Sequence, residues 1–89
     1  MIKEFRHKGL ERFFRTGSKA GIRPEHAARL RILLTALEHA AGPQDMSAPG
    51  WRLHPLSGSL AGLYSVTVSG NWRLVFRFEE KNAVALDYL

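Results

Sequence analysis

The sequence predicts an α+β domain: one strand and two helices, then an antiparallel meander. Three observations support this. Apolar residues between Pro24 and Ala41 recur at helical spacing, whereas from Trp51 onward the period drops to two. Between two such alternating runs, Ser69-Gly70-Asn71 has the turn chemistry of a hairpin. No internal repeat, low-complexity tract or long linker divides the chain, so residues 1–89 are read as a single domain with its helices on one face of a sheet.

Ile2 to Arg6 alternates and is short enough for an opening strand. From Lys8 to Arg15, Leu10, Phe13 and Phe14 fall on one helical face, with Thr16-Gly17 as the stop. Pro24 suits the first position of the second helix, where its missing N–H costs nothing. Ala27, Leu30, Leu34, Leu37 and Ala41 form its apolar stripe, and Gly42-Pro43 ends it. Glu25, Arg29, Arg31 and Glu38 lie on the other face, which is expected in solvent. Gln44 to Gly50 is a loop. Trp51 to His54 is a short strand stopped by Pro55 and the turn Ser57-Gly58-Ser59. Leu60 to Val68 and Trp72 to Phe78 form the hairpin, and Ala83 to Tyr88 is a last strand after the polar turn Glu79 to Asn82.

A three-residue hairpin loop puts Val68 opposite Trp72, Val66 opposite Leu74 and Tyr64 opposite Phe76, an apolar face that belongs under the helices. Ser65, Thr67, Arg73, Val75 and Arg77 then occupy the other face. Asp87 joins them if the last strand turns Val84, Leu86 and Tyr88 to the core. A one-residue slip puts Tyr88 on the arginine face instead, and both registers are open.

Hydrophobic residues at 45% and charged residues at 24% are the balance of an ordinary globular protein, and five Phe, two Trp and two Tyr argue against disorder. No apolar run approaches the roughly 18 residues of a membrane span, and the charged start MIKEFRHKG lacks a signal peptide's apolar stretch. A cytoplasmic protein without a membrane partner is expected. Without cysteine there is no disulfide, thiolate zinc site or cysteine nucleophile. Thirteen Lys+Arg against eight Asp+Glu give a net charge of +5. Residues 1–44 carry nine basic and four acidic side chains and residues 45–89 four of each, so the whole surplus lies in the first half. Such a surface suits a polyanion, nucleic acid ahead of an acidic protein, or serves solubility alone.

There is no phosphate loop, dinucleotide fingerprint or HExxH motif. His7, His26, His39 and His54 are scattered and none pairs with a carboxylate at ligand spacing, so neither metal nor cofactor is expected. His26 and His39, on the polar side or end of the second helix, are expected at the surface. His54 stands at a sheet edge before Pro55 and a Gly/Ser turn. It suits proton transfer near neutral pH, or is an ordinary histidine at a strand end. Arg73 and Arg77 are solvated, paired with Asp87, or placed to hold a phosphodiester and stabilise a pentavalent transition state. Arginine, histidine and a hydroxyl suffice for metal-free RNA cleavage by the neighbouring 2′-OH.

Three stretches now bear on these alternatives: MIKEFRHKGLERFFRTG at the start, GWRLHPL from Gly50 to Leu56, and YSVTVSGNWRLVFRF from Tyr64 to Phe78. They resemble the HigB toxins, killer proteins of host-inhibition toxin–antitoxin modules in the RelE-like superfamily. The resemblance runs through essentially the whole chain in order, and LHPL together with SGNWR makes it specific. It implies the RelE-like fold, a small, mostly antiparallel sheet with two N-terminal helices packed on one face. It also implies a ribosome-dependent mRNA endonuclease that cuts the A-site codon by metal-free 2′-OH attack, leaving a 2′,3′-cyclic phosphate and a 5′-OH. The implied partners are the ribosome, its mRNA and a helix-turn-helix HigA antitoxin, with DNA reached only through that antitoxin. Matching positions make His54 an acid/base or RNA-positioning residue and Arg73 the phosphate and transition-state clamp. Asp87 and Tyr88 are further catalytic candidates. Arg52, Ser57, Asn71 and Arg77 are RNA-facing neighbours, and the basic helical half would meet ribosomal RNA.

The chain departs from the family pattern twice. Where members read LHPLKG, Ser57 replaces the lysine and supplies no positive charge. Members close on Asp-Tyr-His, whereas here the last residues are Asp87-Tyr88-Leu89. Either the final histidine is replaced, or these residues belong to the strand before a missing triplet, the alignment that the spacing from Phe78 favours. On both alignments the expectation is a chain that cuts RNA poorly or not at all. The rival reading is a non-catalytic module of the same fold that holds RNA or titrates an antitoxin.

Overall fold

His7 begins the first helix: its Nδ1 accepts the N–H of Leu10 at 2.9 Å, satisfying a donor that the helix itself leaves open. The computed structural model describes residues 1–89. Helix α1 spans Lys8–Thr16, buries Leu10 and Phe13, and ends at Gly17, whose φ of 81° lets its N–H return to the Phe13 carbonyl at 2.8 Å. A 3₁₀ turn at Pro24–His26 leads into α2, Ala27–His39. Helix α2 buries Ala27, Leu30, Leu33, Leu34 and Leu37. The expected stripe gains Leu33 and closes with buried Ala40 rather than exposed Ala41, because the backbone turns extended at Ala40.

Four strands follow in the order β1-β2-β3-β4, every pair antiparallel: β1 His54–Pro55, β2 Tyr64–Ser69, β3 Trp72–Glu79 and β4 Asn82–Tyr88. Strand β1 is a two-residue edge, short enough to tolerate Pro55. Strand β2 starts at Tyr64, not Leu60, because a 3₁₀ turn occupies Gly58–Leu60. The expected opening strand is reduced to two parallel bridges on the outer edge of β4, Ile2 with Ala83 and Phe5 with Leu86. Ile2 also donates its N–H to Glu38 Oε1 at 2.9 Å, so Glu38 ties α2 to the N-terminal segment rather than facing open solvent.

The hairpin register agrees with the sequence at Tyr64–Phe76 and Val66–Leu74, then departs. Ser69, not Val68, lies opposite Trp72, so Gly70-Asn71 is a two-residue turn and Val68 is the extra residue of a bulge. A second bulge falls in β4, where Ala85 takes a φ of 57°. Asp87 lies opposite Val75, but Val84 lies opposite Arg77, so the face exchanges at Ala85. Leu86 and Tyr88 enter the core as expected. Ala83 takes the place expected of Val84, which is buried outside the main cluster. That cluster joins Leu10, Phe13, Leu30, Leu34 and Leu37 to Val66, Leu74 and Phe76, leaving the opposite sheet face free of helices.

Candidate active site

The uncovered face of the sheet holds a cavity of about 710 Å³. Its walls are Arg52, Leu53, His54, Ser65, Thr67, Gly70, Asn71 and Arg73. Strand pairing explains the grouping. His54 on β1 sits beside Ser65, and Arg73 on β3 lies opposite Thr67, so β2 forms a floor of two hydroxyls between them. His54 and Arg73 are two strands apart, about 10 Å between backbones, a span that their side chains share from opposite walls. Arg52 is held at a φ of 55° just before β1, and Asn71 comes from the hairpin turn.

No carboxylate lines this cavity, and its two guanidiniums are unpaired. The ion pairs of the molecule use Arg15, Arg23 and Arg77 instead. Arg52, His54 and Arg73 are all exposed. Arg73 is fixed through its backbone: its N–H donates to the Leu89 carbonyl at 2.7 Å, and the Leu89 N–H returns to the Arg73 carbonyl at 3.0 Å. Two unpaired planar forks beside an imidazole make a receptor for an oxyanion, with bidentate contacts to two phosphate oxygens available to each arginine. No three His, Asp or Glu side chains come together anywhere in the chain as a metal-binding group.

The remaining candidates lie elsewhere. Asp87 borders an adjoining apolar hollow of about 170 Å³, which shares Ser65 and Arg73 with the main cavity and is closed by Leu56, Leu63 and Val75. Its Oδ1 accepts the Tyr88 N–H at 2.9 Å. Arg77 pairs with Glu79 at 2.6 Å and lines a separate hollow beside Glu4 and Phe5. Ser57 is exposed and begins the 3₁₀ turn after β1, outside the cavity.

Tyr88 faces the helices, buried to 4%, so the structure does not bring it to the arginine face. Its hydroxyl lies 2.6 Å from His26 Nδ1 and accepts the Arg23 N–H at 3.4 Å. Burial pushes the phenol pKa up and the Arg23 N–H opposes the shift, so the phenol keeps its proton. His26, expected at the surface, is therefore a core histidine at 5% exposure. No sequence signal pointed to this pair, because its partners are 62 residues apart. Arg29 was also missed. Placed on the solvated face by spacing, it donates to the Thr67 carbonyl from Nε at 3.2 Å and Nη2 at 3.0 Å.

A family profile described as the RelE-like toxin of type II toxin–antitoxin system HigB matches residues 3–89. The chain is 36% identical over 88 residues to Endoribonuclease HigB of Proteus vulgaris, a match covering 99% of this chain and 96% of that protein. No helix is long and apolar enough to cross a membrane. The two-helix, four-strand arrangement is the RelE-like architecture that the motifs implied. With a match spanning nearly its whole length, this chain belongs to the HigB-like family of toxins from type II toxin–antitoxin systems.

Proposed function

We propose that this protein is an endoribonuclease that cuts mRNA in the ribosomal A site, and that the cavity between His54 and Arg73 is where the cut is made. The observation that carries this reading is the convergence of unpaired Arg52 and Arg73 with His54 on a hollow without carboxylates, in a chain related to an endoribonuclease. The chemistry asks nothing more of the protein. Arg73, with Arg52 beside it, holds the non-bridging oxygens of the scissile phosphate and stabilises the charge that grows on them. The 2′-oxygen attacks phosphorus as the P–O5′ bond breaks. His54 takes the 2′-OH proton while a water protonates the departing 5′-oxygen, or it protonates that oxygen while a water takes the 2′-OH proton. The products are a 2′,3′-cyclic phosphate and a 5′-OH, with no metal in the pathway.

Asn71 at the cavity rim contacts the flanking nucleotide, and Asp87 acts from the adjoining hollow through its closeness to Arg73. Arg77 and Ser57 are peripheral contacts. The basic first half meets ribosomal RNA in the cytoplasm, while a HigA-type helix-turn-helix antitoxin holds the toxin in check and makes the only link to DNA. One observation favours a second reading, a non-catalytic module that binds RNA or antitoxin: Ser57 puts no positive charge where the resemblance implies a lysine.

Primer extension on mRNA bound to 70S ribosomes tests both readings. The Arg73→Ala variant is expected to lose roughly 10²–10³-fold in cleavage rate, the scale of one removed transition-state donor. His54→Ala is expected to lose about 10²-fold or more. Both side chains are exposed and hold nothing else, so melting should move by no more than about 0.5 kcal/mol in either variant. Binding without any cut by the wild-type chain would establish the module instead.

A further inference from the structure

The cavity explains what faces the substrate but not what holds Arg73 in place from behind. Directly beneath it, on the helix side of the sheet, lies a cluster of polar aromatic groups. The Tyr88 hydroxyl bonds His26 Nδ1 at 2.6 Å, and its ring packs on Trp72 at 4.9 Å and on the edge of His7 at 5.3 Å. His26 also meets Trp72 edge-on at 5.5 Å. His7 caps α1, His26 leads into α2, and Trp72 and Tyr88 belong to neighbouring strands. The cluster therefore joins both helices to the end of the β3–β4 ladder.

That end of the ladder is where Arg73 is held. Leu74 pairs with Tyr88, and one step further the Arg73 and Leu89 backbones exchange two hydrogen bonds, at 2.7 Å and 3.0 Å. Trp72 precedes Arg73 and Leu89 follows Tyr88, so both partners of the pair are covalently next to a ring of the cluster. Neither His26 nor the Tyr88 hydroxyl lines the cavity. Each can reach the chemistry only by fixing backbone.

We propose that the His26–Tyr88 hydrogen bond is a latch that sets the aim of the Arg73 guanidinium, making Tyr88 and His26 positioning residues for RNA cleavage. The role in cleavage rests on the function proposed above; the mechanical link to Arg73 does not. It gives the buried His26 a task that its helical spacing in the sequence would not suggest, and moves Tyr88 from the reacting atoms to the layer behind them.

The test uses Tyr88→Phe, which keeps the ring stacked on Trp72 and deletes only the hydroxyl, and His26→Phe, which keeps a ring at its position. Amide hydrogen exchange is read at Arg73 and Leu89, with Lys3 as a distant control whose N–H bonds Ala83. Losing one buried hydrogen bond should speed exchange at Arg73 and Leu89 about five- to tenfold and leave Lys3 unchanged. On programmed ribosomes, kcat should fall about tenfold with KM within twofold, since substrate binding is shared among many contacts and only the aim of one is lost. The double variant should lose little more than either single one, because the two side chains act as a unit. Unchanged exchange at Arg73 would overturn the latch, as would faster exchange with an unaltered kcat. If the wild-type chain does not cut RNA, the nuclease reading fails by itself, and the link from Tyr88 to Arg73 is decided by exchange alone.

Discussion

Arg29 shows how a single residue can contradict its own spacing. Its position on α2 puts it with charged neighbours on the polar side, yet its guanidinium donates twice to the Thr67 carbonyl and lies 5.8 Å from the Trp51 ring. Thr67 lies opposite Arg73, so Arg29 clamps the helix layer to the strand that floors the cavity. A long arginine stem can reach over the edge of an apolar stripe, which periodicity cannot reveal. Arg31, two residues on, is exposed and only covers the Phe13 ring at 5.4 Å. Charge-assisted bonds of the Arg29 kind contribute about 1.5–3 kcal/mol, so Arg29→Ala should lower the melting temperature by roughly 5–15 °C in a domain this small. Arg29→Lys should restore little, because one ammonium cannot reproduce two bonds from a planar fork. Arg31→Ala should melt within about 3 °C of wild type, as surface changes usually do. Circular dichroism on the three variants decides it; equal melting for Arg29→Ala and Arg31→Ala would return Arg29 to the solvated face.

At the scale of elements, α1 carries an apparent flaw. A glycine inside a helix costs about 1 kcal/mol relative to alanine, yet Gly9 stands in the first turn. The structure supplies the reason: a Cβ on Gly9 would collide with the Gly21 carbonyl and with Gly21 Cα at 2.7 Å, so two backbones touch where α1 meets the segment before α2. Two residues after Gly21, the Arg23 N–H donates to the Tyr88 hydroxyl at 3.4 Å. Gly9→Ala should therefore destabilise by roughly 1–3 kcal/mol despite its better helix propensity, the usual cost of overpacking. Lys8→Ala, exposed in the same turn, should be nearly neutral; a Gly9→Ala variant more stable than wild type in urea would show that the segment simply moves aside. Such features mark the limit of what the sequence makes legible. Helix existence and the apolar hairpin face follow from local pattern, because each depends on residues close in the chain, whereas His54 and Arg73, two strands apart, are joined only by the family resemblance. The β4 bulge at Ala85, the His26–Tyr88 bond and the Gly9–Gly21 contact depend on residues brought together by the finished fold, and two of the three carry no compositional trace. Ala85 shows the consequence. One extra residue sends Val84 away from the core while Asp87 still shares the Val75 face, so a strictly alternating strand cannot describe both ends of β4.

Over the whole molecule, charge divides into two populations that do different work. Arg52 and Arg73 sit unpaired in a cavity without carboxylates, where position matters as much as charge. Lys8, Arg12 and Lys19 are exposed on α1 and the segment after it, outside every ion pair, where only charge matters. For a single-stranded RNA, each neutralised phosphate contributes about 0.7 to the slope of log affinity against log salt. If the helical half is a nucleic-acid surface, replacing Lys8, Arg12 and Lys19 together by alanine should lower that slope by up to about 2, whatever the base sequence of the oligonucleotide. Single-turnover cutting of RNA already bound should be unchanged, because none of the three lines the cavity. Arg73→Ala should do the reverse, lowering the slope by less than about 1 while removing the cut. Fluorescence anisotropy across a salt titration separates the two populations. A triple variant with the wild-type slope would mean that the +5 charge keeps the protein soluble and that RNA is held by the cavity alone.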